Sequence, residues 1–428
     1  MTVLCLDVGS TWTKAALVGE DGELVATAQH PTTPPEVMDG IRRVRLGEPD
    51  EVLACSSAGG GLRLAVVGQE RLVSAEAGYR VALSAGARVV HVSAGPLRDL
   101  AAVRAARPDV VLLVGGTDGG DREVLLHNAR KLARIGRPVV LAGNAEAREE
   151  ALALLNAKRT TVADNVLPDV GQLAPGPARA AIREVFLRHV IGGKGLSRGR
   201  EFRRLVRAVT PDAVLAGVSR LAARDHEGAV LVVDVGGATT DVYSAVSTVD
   251  EVETTVALPP DRRTVEGDLG VRWSAPGVVA EALAEKLVDK AEAAFLHGEA
   301  EIRAQDVTWL PEDPEVDQRL ATLAAVLAVR RHLRAVDGRL GPKGATLLVL
   351  SGGVFRHAES TEAVESTLRS DPVLRPVLRR AEIVVDRRYV LAPAGLLAAT
   401  GRAHTADHLL ATHLTAPAST TRPTPTGR

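Results

Sequence analysis

The chain is poor in aromatic residues: three tryptophans, three tyrosines and four phenylalanines in 428 residues, or 2%. Without aromatic platforms it lacks the means to stack bases, which argues against nucleic acid as a partner and leaves the core to alanine, valine and leucine. Excess charge of one sign is also missing. Fifty-two Lys and Arg stand against 53 Asp and Glu, a net charge of −1, so no global field gathers polyanions. The only cysteines, Cys5 and Cys55, are too few for a disulfide framework, an iron–sulfur site or a Cys-based zinc site, and read as reduced thiols. No apolar run reaches the roughly 18 residues of a membrane span. Asp7 interrupts the N-terminal stretch that a signal peptide would need. The expected location is therefore the cytoplasm, with neither membrane nor nucleic acid as partner. What is present is the balance of a globular protein, 46% hydrophobic and 25% charged, with length for two or three domains.

Thr2–Leu6 and Ala15–Val18 read as strands, and Glu20-Asp21-Gly22 turns the chain into a third at Glu23–Thr27. The chain thus opens as a meander. From Leu53 to Pro168 the pattern changes to alternating strand and helix, with strands at Leu62–Val67, Arg88–Val92, Val110–Val114, Val139–Leu141 and Thr160–Ala163. Ala178–His189 and Arg200–Val209 read as helices. A second meander follows at Ala229–Val233 and Thr240–Val246, then long helices at Pro276–His297 and Asp317–Val336, a buried strand at Leu347–Leu350 and a late helix at Ala394–Arg402. Beyond about His413 the Thr/Pro/Ala-rich composition predicts disorder.

One internal repeat organises the chain. "LCLDVGSTWTK" (4–14) and "LVVDVGGATTD" (231–241) align without gaps, and each joins two strands. Asp7, Val8, Gly9 and Thr13 match Asp234, Val235, Gly236 and Thr240, which implies two similar domains with a cleft between them. Glycines in such a turn let backbone N–H groups point outward, and with Ser and Thr hydroxyls they form an anion cradle. An aspartate at the strand end repels bare phosphate but suits a divalent cation lying between the two. There is no G-x-x-x-x-G-K-[S/T], and a strand rather than a helix follows the glycines, so neither a P-loop nor a dinucleotide fingerprint fits. A third element, "LLVLSGGVFRH" (347–357), places Gly352 and Gly353 after a strand, where a base or ribose can approach the backbone.

The order D-x-G-x-T, D-x-G-G-x-T-T-D and strand–Gly-Gly resembles the superfamily of actin, sugar kinases and heat-shock ATPases. More closely, "DVGSTWTK", "LLVGGTDGGD", "DVGGATTDVYS" and "VEGDLGVRWSAPG" resemble the glutamate mutase accessory family called MutL or GlmL, distinct from the mismatch-repair MutL; the resemblance spans roughly residues 1–400. It implies an α/β fold of two actin-like (ribonuclease H-like) ATPase domains flanking a nucleotide cleft. The expected division is 1–228, with an α/β insertion at about 55–170, then 229–412, whose late helix packs back on the first domain, and a tail at 413–428. By the same resemblance, Gly9, Ser10, Thr11 and Thr13 with Lys14 would form a first phosphate loop, Gly236, Gly237, Ala238 and Thr239 a second, and Gly352 and Gly353 would face adenosine. Asp7 and Asp234 would hold magnesium through water and serve catalysis, Asp234 by orienting an attacking water. The implied cofactors are ATP/ADP and Mg, the implied partners the subunits of an adenosylcobalamin-dependent carbon-skeleton mutase, and the implied role a slowly hydrolysing, reactivating chaperone. The alternatives are a small-molecule kinase, a hydantoinase/oxoprolinase-like enzyme or a scaffold that binds nucleotide without turnover. An electron-transferring activator is ruled out by the two cysteines, one of them inside the first strand.

Other segments carry weaker signals. Asp118 and Asp121 in a Gly-rich loop, and Glu266 and Asp268 around a glycine, are candidates for the cleft or a partner surface. Cys55 and Ser56 in "CSSAGGG" read as a turn rather than a nucleophile, and Gly192 and Gly193 in "IGGKGLS" as a helix cap. His404, His408 and His413 with Asp407 read as solvated side chains rather than a metal site.

Overall fold

A computed structural model describes residues 1–414 apart from 10, 58–61, 71–73, 86, 156, 186–199, 226–227, 247–260, 337, 339 and 341–343. Strands β1 (Thr2–Val8), β2 (Trp12–Gly19) and β3 (Leu24–Pro31) form the expected meander, and β4 (Glu51–Ser56) pairs parallel to β1. The chain then builds a separate sheet from β5 (Arg63–Gly68), β6 (Arg88–Ala94), β7 (Val110–Leu113), β8 (Val139–Leu141) and β9 (Thr160–Val162). All its pairings are parallel, in the order β6-β5-β7-β8-β9, a doubly wound layer of its own. β10 (Val206–Val209) returns to the first sheet beside β4. Arg200–Val209, read from the sequence as one helix, is therefore a helix only to Leu205. Sheet pairing overrides helical propensity there, and Val206 and Val209 bury their β-branched side chains.

The second meander is β11 (Ala229–Val235), β12 (Thr240–Val246) and β13 (Asp261–Glu266), and β14 (Ala345–Ser351) and β15 (Glu382–Val385) add in parallel on the far side of β11. The two large sheets thus share one order, β3-β2-β1-β4-β10 and β13-β12-β11-β14-β15. This mixed α/β architecture is a meander extended on one side by two parallel strands, and it is built twice. The sequence reading 276–297 as one helix is corrected to two, Ala275–Ala284 and Lys290–Gln305, the second capped by Asp289 on the Glu292 N–H. His413 and Leu414 belong to the helix Ala403–Leu414, with Leu414 buried, so this helix takes in the first two residues of the expected tail.

Two helices join the halves. Thr210–Asp225 and Leu391–Ala399 lie in one core with inward residues of both sheets: Val3 and Cys5 of β1, Val230 and Val232 of β11. The helix Leu391–Ala399 lies against β1 and β4. The helices cross backbone to backbone. A Cβ at Gly395 would lie 1.8 Å from the Ala213 carbonyl oxygen, and one at Gly217 2.2 Å from that of Leu391.

Candidate nucleotide clamp

Strand alternation sets the two aspartates. Val3 and Cys5 face the shared core, so Asp7 follows them on that side at the C-terminal end of β1; Val230, Val232 and Asp234 repeat this on β11. Each strand then turns through the same bond, Gly9 N–H to the Trp12 carbonyl at 3.0 Å and Gly236 N–H to the Thr239 carbonyl at 2.9 Å. Glycine is required at the first, where a Cβ would meet Trp12 O at 2.7 Å. The two turns approach one another: the Cβ position of Gly237 lies 3.9 Å from Thr11 Cγ2. Gly352, at φ 113°, is wedged where a Cβ would be 2.2 Å from the Val235 carbonyl, whereas Gly353 has open space on its side-chain face. The structure thus brings Gly9, Thr11, Gly236 and Gly237 together. Ser10 lies outside the described residues.

Some expected residues have other duties. Thr13 is fully buried, with its hydroxyl 3.0 Å from that of Thr32, which donates to the Gly9 carbonyl; it braces the turn from behind. The second turn is braced by the segment 267–274. Val271 and Arg272 N–H groups donate to the Gly236 and Gly237 carbonyls at 3.0 and 2.8 Å, and Ser274 Oγ donates to that of Ala238 at 2.8 Å. Glu266 and Asp268 beside this segment both accept from Arg331 and border a cavity of about 520 Å³ shared with Tyr79 and Val89. Asp118 and Asp121 tie loops of the β5–β9 sheet: Asp118 accepts from Ala145 N–H and Asn165, Asp121 from Gln69. Asp407 pairs with Arg220, and His404 and His408 are exposed. Residues 192 and 193 lie outside the described residues.

The carboxylates differ in their surroundings. Asp7 is 4% exposed and accepts from Thr210 Oγ1 on one oxygen and from Tyr389 Oη on the other at 2.9 Å. Lys14 Nζ is 3.9 Å from that second oxygen and 3.3 Å from the centroid of the Tyr389 ring. Burial pushes the Asp234 carboxyl up to about 6, against the lowering influence of Lys14, with Asp241 and Asp7 adding to the rise and a bond from Ser351 opposing it. A carboxylate held against burial by one lysine suits a cation. Magnesium takes one or two carboxylates, phosphate oxygens and water, and the described residues hold no cluster of three or more His, Cys, Asp or Glu able to bind a metal unaided. The donor set fits a magnesium delivered with a nucleotide. Tyr389 and Thr210 were missed from sequence, because no motif marks residues 203 and 382 positions away from Asp7.

Neither thiol is placed for nucleophilic work. Burial raises Cys5 to about 12, and burial together with Asp7 holds Cys55 well above the usual thiol range. Ser56 is buried and donates to the Val8 carbonyl. A disulfide-exchange reagent at pH 8 should therefore label neither cysteine in the folded chain and both after denaturation; labelling of the folded chain would contradict this core.

The family model described as MutL protein matches residues 3–414. Protein MutL of Clostridium tetanomorphum is 33% identical over 443 aligned residues, covering 92% of this chain and 95% of the relative. Among solved structures, nucleotide-free acetone carboxylase aligns with 93% of this chain and 70% of its own at a TM-score of 0.40 and 13% identity. Xylulose kinase from Rhodospirillum rubrum aligns with 95% and 92% at a TM-score of 0.35 and 15% identity. At these scores the structural likenesses carry no weight for function.

Proposed function

The chain belongs to the MutL protein family, and from that premise we propose that it is an ATP-dependent accessory chaperone that reactivates an adenosylcobalamin-dependent carbon-skeleton mutase. The observation that carries the nucleotide part is the pair of facing turns, closed by equivalent bonds at Gly9 and Gly236 and brought together at Thr11 and Gly237. In this reading the turns closed at Gly9 and Gly236 present the backbone amides of Thr11, Gly237, Ala238 and Thr239 to phosphate oxygens, and adenosine lies in the open space at Gly353. Asp7 and Asp234 would hold magnesium through water, and the ion would supply positive charge for the transferring phosphoryl group. Lys14 adds a positive charge from the first turn. Asp234, ionised at neutral pH, accepts a hydrogen bond from the attacking water. Positioning and charge neutralisation are all that the chemistry demands, and the lack of a separate strong base fits slow turnover. The halves 1–228 and 229–412 close about the two joining helices, and the closure works on the partner.

The test is ATP turnover by the purified chain with and without a candidate mutase carrying an inactivated cofactor. The expected result is turnover stimulated by the mutase and ATP-dependent recovery of mutase activity. If a small metabolite alone stimulates ADP release and the mutase does nothing, a kinase replaces the chaperone.

A further inference from the structure

Asp7 sits where the N-terminal ends of both joining helices meet. Thr210 opens the helix Thr210–Asp225 and donates to one of its oxygens. Tyr389, two residues before the helix Leu391–Ala399, donates to the other. The loop that carries Tyr389 is closed by Asp386, which accepts from the N–H groups of Val390 and Leu391 at 2.9 and 3.4 Å. Among the described residues three non-glycines lie at positive φ, and Tyr389, at 57°, is the only aromatic one. The left-handed region is unfavourable for a bulky side chain, and a residue stays there only where its surroundings hold it. Here the backbone N–H of Tyr389 bonds to the Asp386 carbonyl at 3.4 Å, and its side chain is held by the Asp7 carboxylate and by the Lys14 ammonium over the ring.

Both contacts are groups that a magnesium nucleotide would claim. We propose that Tyr389 is a positioning residue that senses occupancy of the clamp: its hydroxyl takes the Asp7 oxygen when the clamp is empty and yields it when the magnesium nucleotide binds. Once Asp7 and Lys14 turn to the ligand, Tyr389 loses its side-chain partners and only the loop closed by Asp386 opposes its leaving the left-handed conformation; its relaxation moves the start of the 391–399 helix. That helix is fitted backbone to backbone onto 210–225 through Gly395 and Ala213, and 210–225 returns to Asp7 through Thr210. The circuit therefore couples the clamp to the pair of helices between the sheets. The inference rests on the nucleotide reading above and adds to it how occupancy is passed on.

Two measurements test it. The chain has three tyrosines, Tyr79, Tyr243 and Tyr389, so protein labelled with 3-fluorotyrosine gives three fluorine resonances, and Tyr389→Phe assigns one. Adding magnesium with a non-hydrolysable ATP analogue should shift the Tyr389 resonance by more than either of the others. In the second, Tyr389→Phe keeps the ring over Lys14 but frees the Asp7 oxygen. The magnesium concentration for half-maximal analogue binding should fall about tenfold or more, the scale of one hydrogen bond to a charged group, while analogue binding in EDTA stays within about twofold. A purely structural tyrosine would shift both alike. Analogue binding that leaves the Tyr389 resonance in place, or a variant that needs more magnesium, overturns the sensor and leaves the clamp standing. A wild-type chain that binds no analogue overturns the nucleotide reading and the sensor with it.

Discussion

Gly395→Val should unfold at markedly lower denaturant than the wild type, a loss of about 3 kcal/mol or more. The added side chain has nowhere to go. Its first carbon would lie 1.8 Å from the Ala213 carbonyl oxygen and 2.7 Å from the Ala213 carbonyl carbon, both backbone atoms of the facing helix, so no rotamer change relieves the clash. Gly217→Val should behave alike from the other side, at 2.2 Å from Leu391 O. Gly298→Ala is the control. It lies within the Lys290–Gln305 helix with nothing within 4 Å of the added carbon, and should gain about 0.5–1 kcal/mol from helix propensity. The comparison separates the crossing from the general effect of replacing a glycine. Equal denaturation midpoints for Gly395→Val and Gly298→Ala would mean that the helices do not cross as described.

The clamp was legible in the sequence where local geometry alone demands a residue type. Gly9 and Gly236 close equivalent turns between antiparallel strands, and the gapless repeat exposed them. Thr13 matched the pattern equally well but lies behind the turn, because period-2 alternation sends it into the core next to Thr32. The charge difference between the repeats, Lys14 against Asp241, reads differently with the fold in hand. Asp241 is paired with the buried guanidinium of Arg263, which the β12–β13 register sets opposite Tyr243. Only Lys14 brings its charge to the Asp7 carboxylate and the Tyr389 ring. Tyr389 and Thr210 stayed hidden because their contact with Asp7 comes from tertiary packing: each lies at or just before the start of a helix, and no local pattern ties either helix start to Asp7. Val206–Val209 was misread for the same reason, since its strand pairing with β4 spans some 150 residues.

Asp234→Asn should give a chain that is more stable than the wild type without ligand and at least about 100-fold slower in ATP turnover, the scale expected for losing a group that acts on the reacting water. The stability effect follows from the raised pKa. An aspartate near 3.8 when unfolded and about 6 when folded binds its proton more tightly in the folded chain. Its contribution therefore falls as pH rises from about 4 to 6, and above that the ionised carboxylate costs on the order of 2 kcal/mol. Asparagine removes that cost while keeping the shape. The gain should be absent below about pH 4, grow up to about pH 6–7 and stay level beyond, as read by denaturant unfolding in EDTA. Added magnesium nucleotide should reverse the order, because it stabilises the chain that binds it by mass action and the asparagine variant should bind it at least about 100-fold more weakly, more than the roughly 30-fold that offsets about 2 kcal/mol. One carboxylate would then account for opposite changes in stability and in turnover, which is the mark of a group kept for its charge rather than its packing. A variant no more stable than the wild type at pH 8 in EDTA would show that Asp234 is already neutralised without a cation, and the assignment of metal to this position would fail.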